Sequence, residues 1–224
     1  MSQNQFVIPG DVIITGSYTP EQNVILDGEK VISTAIGFYE IDDNRVNVIP
    51  LTGLYTPKID DLIIGKVVSH GALSWDININ SYYTGMLPAS DIFGRDYLPS
   101  KDDLSLKLCV GDIISTRIIN AGGSRGPLLS ISGQNLGKID SGELVKISPT
   151  KIPRLIGKHG SMIQTIEAST NATITIGQNG LIVVSSNETN GLLKALAAIR
   201  MVEEQAHLAN LTDKMKKMLE SNGV

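Results

Sequence analysis

The sequence predicts a multidomain chain, mainly β, ending in an α+β unit. Three observations carry this. Up to about residue 133 the apolar residues fall in short runs, several with strict period-2 alternation, punctuated by glycine, proline and Asp/Asn turns. From Leu144 to Ala206 the pattern becomes strand, two short helices, two strands around Asn179-Gly180, and one long helix. Between the two short helices stands Ile156-Gly157-Lys158-His159-Gly160-Ser161-Met162-Ile163, in which two glycines bracket two polar residues, one of them cationic.

The 224 residues suffice for two or three small domains. The formal net charge is −4, unevenly spread. Residues 1–58 carry three basic and seven acidic side chains, residues 59–133 six and eight, and residues 134–224 ten and eight. The cationic excess lies at Lys138, Lys146, Lys151, Arg154 and Lys158, just before and within the two-glycine segment. An acidic remainder argues against wrapping duplex DNA and suits local contact with a single strand, reinforced by several copies acting together. The single cysteine, Cys109, excludes an internal disulfide and a multi-cysteine zinc site; its apolar neighbours predict a buried or half-buried thiol. No stretch reaches the ~18 uncharged apolar residues that a bilayer span requires, and Met1 to Gln5 lack a signal-peptide layout. The expectation is a soluble cytoplasmic protein with no membrane association.

Residues 1–58 read as a small β domain with two readings, docking against a partner or a structural cap on the next domain. Phe6-Val7-Ile8 leads into Pro9-Gly10-Asp11 and then Val12-Ile13-Ile14; Asp27-Gly28 and Asp42-Asp43-Asn44 mark further turns. Residues 59–133 read as a five-stranded barrel. Asp61 to Val68 forms a first strand whose Gly65 marks a bend. Leu73, Trp75, Ile77 and Ile79 alternate with polar residues, so Trp75 reads as core. Tyr82 to Leu87, Gly111 to Ile119 and Leu128 to Ile131 complete the five strands, with a helical or irregular connection from Pro88 to about Leu106. Tyr82 and Tyr83 then point to opposite faces, so at most one can stack on a base.

Residues 134–143 form a polar connection, and residues 134–224 hold the α+β unit. Ser161 followed by Gln164 predicts a capping box at the start of a helix. Leu192, Leu196 and Ile199 form an apolar stripe for the sheet. Leu211, Met215, Met218 and Leu219 at helical spacing leave two readings for the tail, a docking helix or a frayed end. The two-glycine segment suits close backbone approach to a nucleic-acid strand. Glycine takes positive φ at little cost and carries no side chain to hold the partner away, while Lys158 offers a charge to phosphate. No catalytic grouping stands out. His70, His159 and His207 fall in different units, no Walker-type loop or metal-ligand spacing is present, and no cofactor is implied.

The β-α-α-β-β-α order with Gly-x-x-Gly between its first two helices resembles the KH domain, whose loop clamps about four single-stranded nucleotides. The preceding unit resembles the OB-fold, and Gly85-Met86-Leu87-Pro88 with Val110-Gly111-Asp112-Ile113 resembles its S1-type RNA-binding version. An N-terminal small β domain, an S1-type OB barrel and a C-terminal KH domain together resemble the S1–KH cap subunit of the archaeal exosome. Ile8-Pro9-Gly10-Asp11, Trp75-Asp76-Ile77-Asn78 and Pro153 to Ile163 carry this resemblance. It implies a non-catalytic protein, three copies of which sit on a hexameric ring of RNase PH-like phosphorolytic subunits. They guide single-stranded RNA 3′ ends, adenine-rich ones favoured, into the ring for 3′-to-5′ degradation. The RNA contacts so implied are Lys151, Arg154, Gly157, Lys158, His159 and Gly160 in the KH unit, and Lys66, His70, Tyr83, Arg117 and Arg125 in the barrel. Two alternatives stand beside it. A free-standing transcription elongation and antitermination factor also runs barrel then KH, but carries two KH units behind a helical front. A bacterial phosphorolytic exonuclease carries both modules in the opposite order, behind large catalytic domains.

Overall fold

The computed structural model describes residues 5–51, 53–94, 97–122, 126–205 and 211–220. The chain divides into two compact units, residues 1–53 and residues 54–224. The first unit is all β, with seven strands: β1 (Gln5–Val7), β2 (Val12–Thr15), β3 (Thr19–Pro20), β4 (Val24–Asp27), β5 (Lys30–Ser33), β6 (Gly37–Asp42) and β7 (Arg45–Pro50). They form two sheets, of order β1-β6-β7-β3 and β2-β5-β4. Strand alternation turns Val7, Val24, Val31, Val46 and Val48 into a shared valine core. The β-branched side chains suit the pleated surface and leave polar partners outward.

The second unit begins with a barrel of β8 (Leu62–His70), β9 (Ser74–Asn78), β10 (Thr84–Pro88), β11 (Ile113–Asn120) and β12 (Leu128–Ser130). Going round, β8 pairs β9, β9 pairs β10, β10 pairs β12, β12 pairs β11 and β11 returns to β8; only the β10–β12 contact is parallel. This is the closed five-stranded ring expected from the sequence. Ile63, Val67, Trp75, Ile77, Ile79, Leu87, Ile114, Ile118 and Leu129 fill it. Gly65 faces this interior, where an added Cβ would lie 2.3 Å from Ile77 Cγ2. The glycine is therefore required for space, and the irregularity in β8 falls later, between Val67 and Ser69.

The long third connection carries α1 (Ala89–Phe93) and a 3-10 turn at Leu104–Leu106. It closes one end of the barrel. The Trp75 ring stacks on Phe93 at 6.4 Å, and its Nε1 donates to the Leu108 carbonyl at 3.1 Å. Asp91 in α1 accepts from the Ile131 N–H and from the Ser130 and Ser132 hydroxyls, which ties the connection to the end of β12. Leu73, expected beside Trp75 in the core, precedes β9 and is exposed. Cys109 is exposed too, its Sγ donating to the Ser105 carbonyl at 3.2 Å. Its apolar neighbours misled, because the segment runs over the surface.

The linker after the barrel is part strand. β13 (Gly137–Ile139) pairs with β11, whose length lets β12 take one half and β13 the other. Lys138 forms an ion pair with Asp112 at 2.8 Å. The polar sequence hid a pairing that Ile139 makes favourable, since it joins the apolar contacts below.

The last part is the α+β unit: β14 (Glu143–Lys146), α2 (Ile152–Ile156), α3 (Ser161–Thr170), β15 (Ala172–Ile176), β16 (Leu181–Ser186) and α4 (Thr189–Gln205). The sheet order β14-β16-β15 puts β16 in the middle. That explains why Leu181-Ile182-Val183-Val184 is apolar without alternation. Ile182 and Val184 join the helix-side core with Ile152, Leu155, Ile166, Ala195 and Ile199. Leu181 and Val183 face the barrel and pack with Ile64, Ile113 and Ile139. The tail resolves as α5 (Leu211–Glu220), with Leu211, Met215 and Leu219 buried in the same core. It is a packed helix rather than a frayed end.

The turn from β15 to β16 fastens this unit to the barrel. Asn179 is fully buried. Its Nδ2 donates to the Ile64 and Ile79 carbonyls at 2.6 and 2.8 Å, and its Oδ1 accepts from the Ile64 N–H at 3.3 Å. The Gln178 N–H donates to the Leu62 carbonyl at 2.9 Å, and Asn80 Nδ2 to the Asn179 carbonyl at 2.7 Å. Asn179-Gly180 is a hairpin turn as its sequence predicts, but its side chain serves the barrel.

Candidate nucleic-acid interface

The corner between α2 and α3 is built by backbone that only small residues tolerate. Gly157 ends α2 at φ 73°, ψ 177° and donates its N–H to the Pro153 carbonyl at 2.9 Å. A Cβ on Gly157 would lie 2.8 Å from Met162 Cβ and 2.9 Å from Met162 N. His159 (φ 53°) and Gly160 (φ 80°) are both left-handed. Two of the four corner residues thus project the Lys158 and His159 side chains into solvent, while the glycines keep the backbone bare. Gly160, not Ser161, is the residue before the helix; Ser161 is already helical at φ −61°, ψ −36°, and no side chain caps α3. The expected Ser161–Gln164 capping box therefore does not form. The uncapped first turn leaves its N–H groups and the positive end of the helix dipole at the corner.

The other residues assigned to this unit divide. Arg154 is exposed on α2, one turn before the corner. Lys151 is half-buried, and its Nζ donates to the Glu203 carbonyl in the last turn of α4 at 2.6 Å. That ammonium satisfies a helix C-terminus, so its charge is tied down behind the corner.

The barrel residues do not converge. Lys66 in β8 and Arg117 in β11 are exposed on the two strands whose outer surface, at Ile64 and Ser115, is buried. Arg117 Nη1 lies 3.4 Å from the Asp60 carbonyl. Strand directions put His70, the last residue of β8, at the opposite end of the barrel from Tyr83, before β10. His70 lines a recess of about 280 Å³ with Tyr97, Lys101, Asp102 and Asp103. Hydrogen bonds from Ser105 hold the Asp103 carboxyl below its usual range. Tyr82 and Tyr83 lie ahead of β10 in the loop after β9, not on a strand, and both are exposed, at 80 % and 47 %. Left-handed Asn80 (φ 54°) ends the strand geometry there. Arg125 lies outside the described residues, as does His207. The outer surface of β9 and β10 presents Ser74, Asp76, Asn78, Thr84 and Met86, with neither cation nor aromatic ring. The sequence missed the role of Asn179, whose only signal was its place in a turn.

Unit 1 carries a surface of different character. The register sets Phe6 opposite Phe38 and Phe38 opposite Ile49, one apolar row across three strands. The two phenylalanine rings meet edge-on at 5.9 Å. Ile8, Ile36 and Leu51 lie two residues on from them, just past the ends of these strands, with the Leu51 N–H donating to the Ile36 carbonyl at 2.9 Å. Five of the six are exposed, and Phe38 is half-buried. The period-2 pattern at Phe6 and Ile8 was its signal.

Residues 142–201 match the KH domain family. The exosome complex component Rrp4 of Nitrosopumilus maritimus is 59% identical over 221 residues, covering 99% of this chain and 98% of that protein. The protein of the same description from Thermofilum pendens is 39% identical, covering 98% and 94%. A crystal structure described as an exosome complex RNA-binding protein superposes with a TM-score of 0.71 at 36% identity, covering 75% of this chain and 96% of that one. With two relatives matched from end to end, and with the KH corner and barrel in place, the chain belongs to the Rrp4 family of exosome complex components.

Proposed function

We propose that the chain is a non-catalytic RNA-binding subunit that caps the phosphorolytic ring of an exosome in the cytoplasm. Three copies would sit on a hexameric ring of RNase PH-like subunits and guide RNA 3′ ends, adenine-rich ones favoured, toward degradation. Family membership supports the assignment to an exosome, and the exposed, glycine-bracketed corner at Gly157–Gly160 is the observation that carries RNA binding. There Gly157 and Gly160 admit the RNA backbone, Lys158 and Arg154 supply charge, and His159 contributes a ring and a donor. Lys66, Arg117, Tyr83 and Arg125 would act as secondary barrel contacts; His70 and Lys151 are the weakest members of the set, for the reasons of position given above.

In this reading the work divides at about residues 58 and 133, into docking, barrel and KH segments. The six-residue apolar surface of unit 1 supports a docking role. Contiguous exposed apolar surface of this kind marks contact with another protein, and the ring is the occupant the family supplies. No cluster of His, Cys, Asp and Glu able to hold a metal occurs among the described residues, and none of their helices is long and apolar enough to cross a membrane. Light scattering on a size-exclusion column tests the proposal, with the protein run alone and mixed with the ring subunits. The expected result is a complex holding three copies per ring, lost in Phe6→Ser/Ile49→Ser. Failure to associate, with RNA binding intact, would overturn the cap role and leave a free-standing RNA-binding factor.

A further inference from the structure

We propose that the Tyr82–Tyr83 loop is a base-stacking platform that engages RNA beyond the nucleotides held at the Gly157–Gly160 corner. The proposal rests on the RNA-binding reading above and extends it to a second place on the molecule. Tyr82 leaves 80 % of its surface in water. A large ring so placed forgoes the burial energy it would gain in a core, yet the loop that carries it is not loose. The Asn80 N–H donates to Asn78 Oδ1 at 2.9 Å, Asn80 Nδ2 to the Asn179 carbonyl at 2.7 Å, and Ser81 Oγ to the Tyr55 carbonyl at 2.7 Å. Beneath it Tyr55 is buried, with its hydroxyl bonded to Asp61; burial first, and that bond second, push its pKa up so that it stays neutral. Tyr82 is therefore presented on a fixed base, which lowers the entropy lost when a nucleotide stacks on it.

Position supplies the second argument. β15 is the edge strand beside β16, and it follows α3, the helix that starts at the corner. Leu144 of β14 shares a cleft with Gly111, Asp112 and Ile113, so β14 lies toward the β11 side of the barrel. β15, across β16 from it, lies toward β8 and β9, and its last residue, Ile176, runs into the turn fastened to Leu62, Ile64 and Ile79. β15 folds back along α3, its Ile174 N–H donating to Glu167 Oε1 at 2.9 Å, so the Ile176 end returns toward the corner. RNA that leaves the corner past this end arrives at the seam, where Asn80 crosses from the barrel and Tyr82 follows two residues later. Every base offers a π-face, so such a platform adds affinity without reading sequence.

The test is fluorescence anisotropy on the full chain with labelled oligoadenylates of four and ten nucleotides. Aromatic stacking worth about 1–3 kcal/mol per base corresponds to about 5- to 150-fold in affinity. Tyr82→Ala should weaken the ten-mer by that factor and leave the four-mer unchanged, while Tyr82→Phe keeps both. Equal ten-mer affinity in wild type and Tyr82→Ala would overturn the platform while leaving the corner intact. Loss of both oligomers in Tyr82→Ala, with an unchanged urea midpoint, would also overturn it, because the ring would then belong to the corner site. If wild type binds neither oligomer, the RNA-binding reading fails and takes the platform with it.

Discussion

The KH unit contains two Gly-x-x-Gly tetrapeptides with opposite fates. Gly157-Lys158-His159-Gly160 joins two helices and turns both central side chains to solvent. Gly177-Gln178-Asn179-Gly180 joins two strands and buries its Asn entirely against the barrel. In each, at least one glycine answers close approach. Gly157 gives way to Met162, and a Cβ on Gly180 would lie 2.3 Å from the Ile147 carbonyl oxygen. The difference lies in what stands between the glycines. A cation is costly to bury and stays in water. A primary amide, with two donors and an acceptor, can be buried when every group is matched, and Asn179 is matched at each. A glycine pattern alone therefore tells only that backbones come close; the bracketed side chains tell whether the neighbour is the protein itself or a ligand.

The largest effect should come from the buried turn. Asn179→Ala strands the Ile64 N–H and the Ile64 and Ile79 carbonyls in a dry interface, and should cost about 2–4 kcal/mol in urea unfolding. Affinity of the folded protein for a four-nucleotide RNA should hold. Loss of that affinity with little loss of stability would reverse the roles given to the two turns.

Next in size is a contrast within the exposed corner. Gly157→Ala adds both a left-handed strain and a collision with Met162, and should destabilise by about 2–3 kcal/mol. Gly160→Ala meets no atom closer than 3.6 Å and should cost about 1 kcal/mol, from its positive φ alone. Equal costs at the two positions, read from urea midpoints, would mean that the Met162 contact is not what demands glycine. Because Gly160 has room, Gly160→Asp is the cleaner variant for weakening RNA binding without unfolding the protein.

Smaller still is Lys158→Gln. Removing one phosphate contact to a single strand should make the slope of log affinity against log salt shallower by about 0.7, with stability unchanged. The same substitution at Lys151 should instead lower stability, since that ammonium holds the end of α4.

The smallest effect concerns Asp112. Its bond to Lys138 and then the Cys109 N–H hold its carboxyl below the usual range, and Lys138 is raised in return. A carboxyl lowered on folding contributes stability above its unfolded value, near 3.9, and loses it as pH falls through the folded value. Stability should therefore decline below about pH 4, and less steeply in Lys138→Met. Parallel pH profiles for the two proteins would show that the ion pair contributes nothing.

Much of this was legible in the chain, for identifiable reasons. The strict alternation at Trp75, Ile77 and Ile79 located the barrel core, and the order of strands and helices around Gly157 located the KH corner. What escaped depended on partners distant in sequence. Tyr82 and Tyr83 look like strand residues until Asn80 is seen turning left-handed to meet Asn179, about a hundred residues away. Polar Gly137-Lys138-Ile139 looks like a linker until β11 offers it a free edge. The spread of the barrel contacts was hidden for a similar reason. The resemblance to S1-type barrels grouped them, but strand direction puts His70 and Tyr83 at opposite ends.

The account turns on the Gly157–Gly160 corner, rather than the Gly177–Gly180 turn, being where RNA is held. Amide hydrogen exchange on the full chain, with and without a saturating ten-nucleotide oligoadenylate, tests this most directly. The predicted result is new protection across residues 157–163 on adding RNA, with residues 177–180 slow to exchange in both conditions. Unchanged exchange at 157–163, together with RNA-dependent protection confined to 177–180, would contradict it.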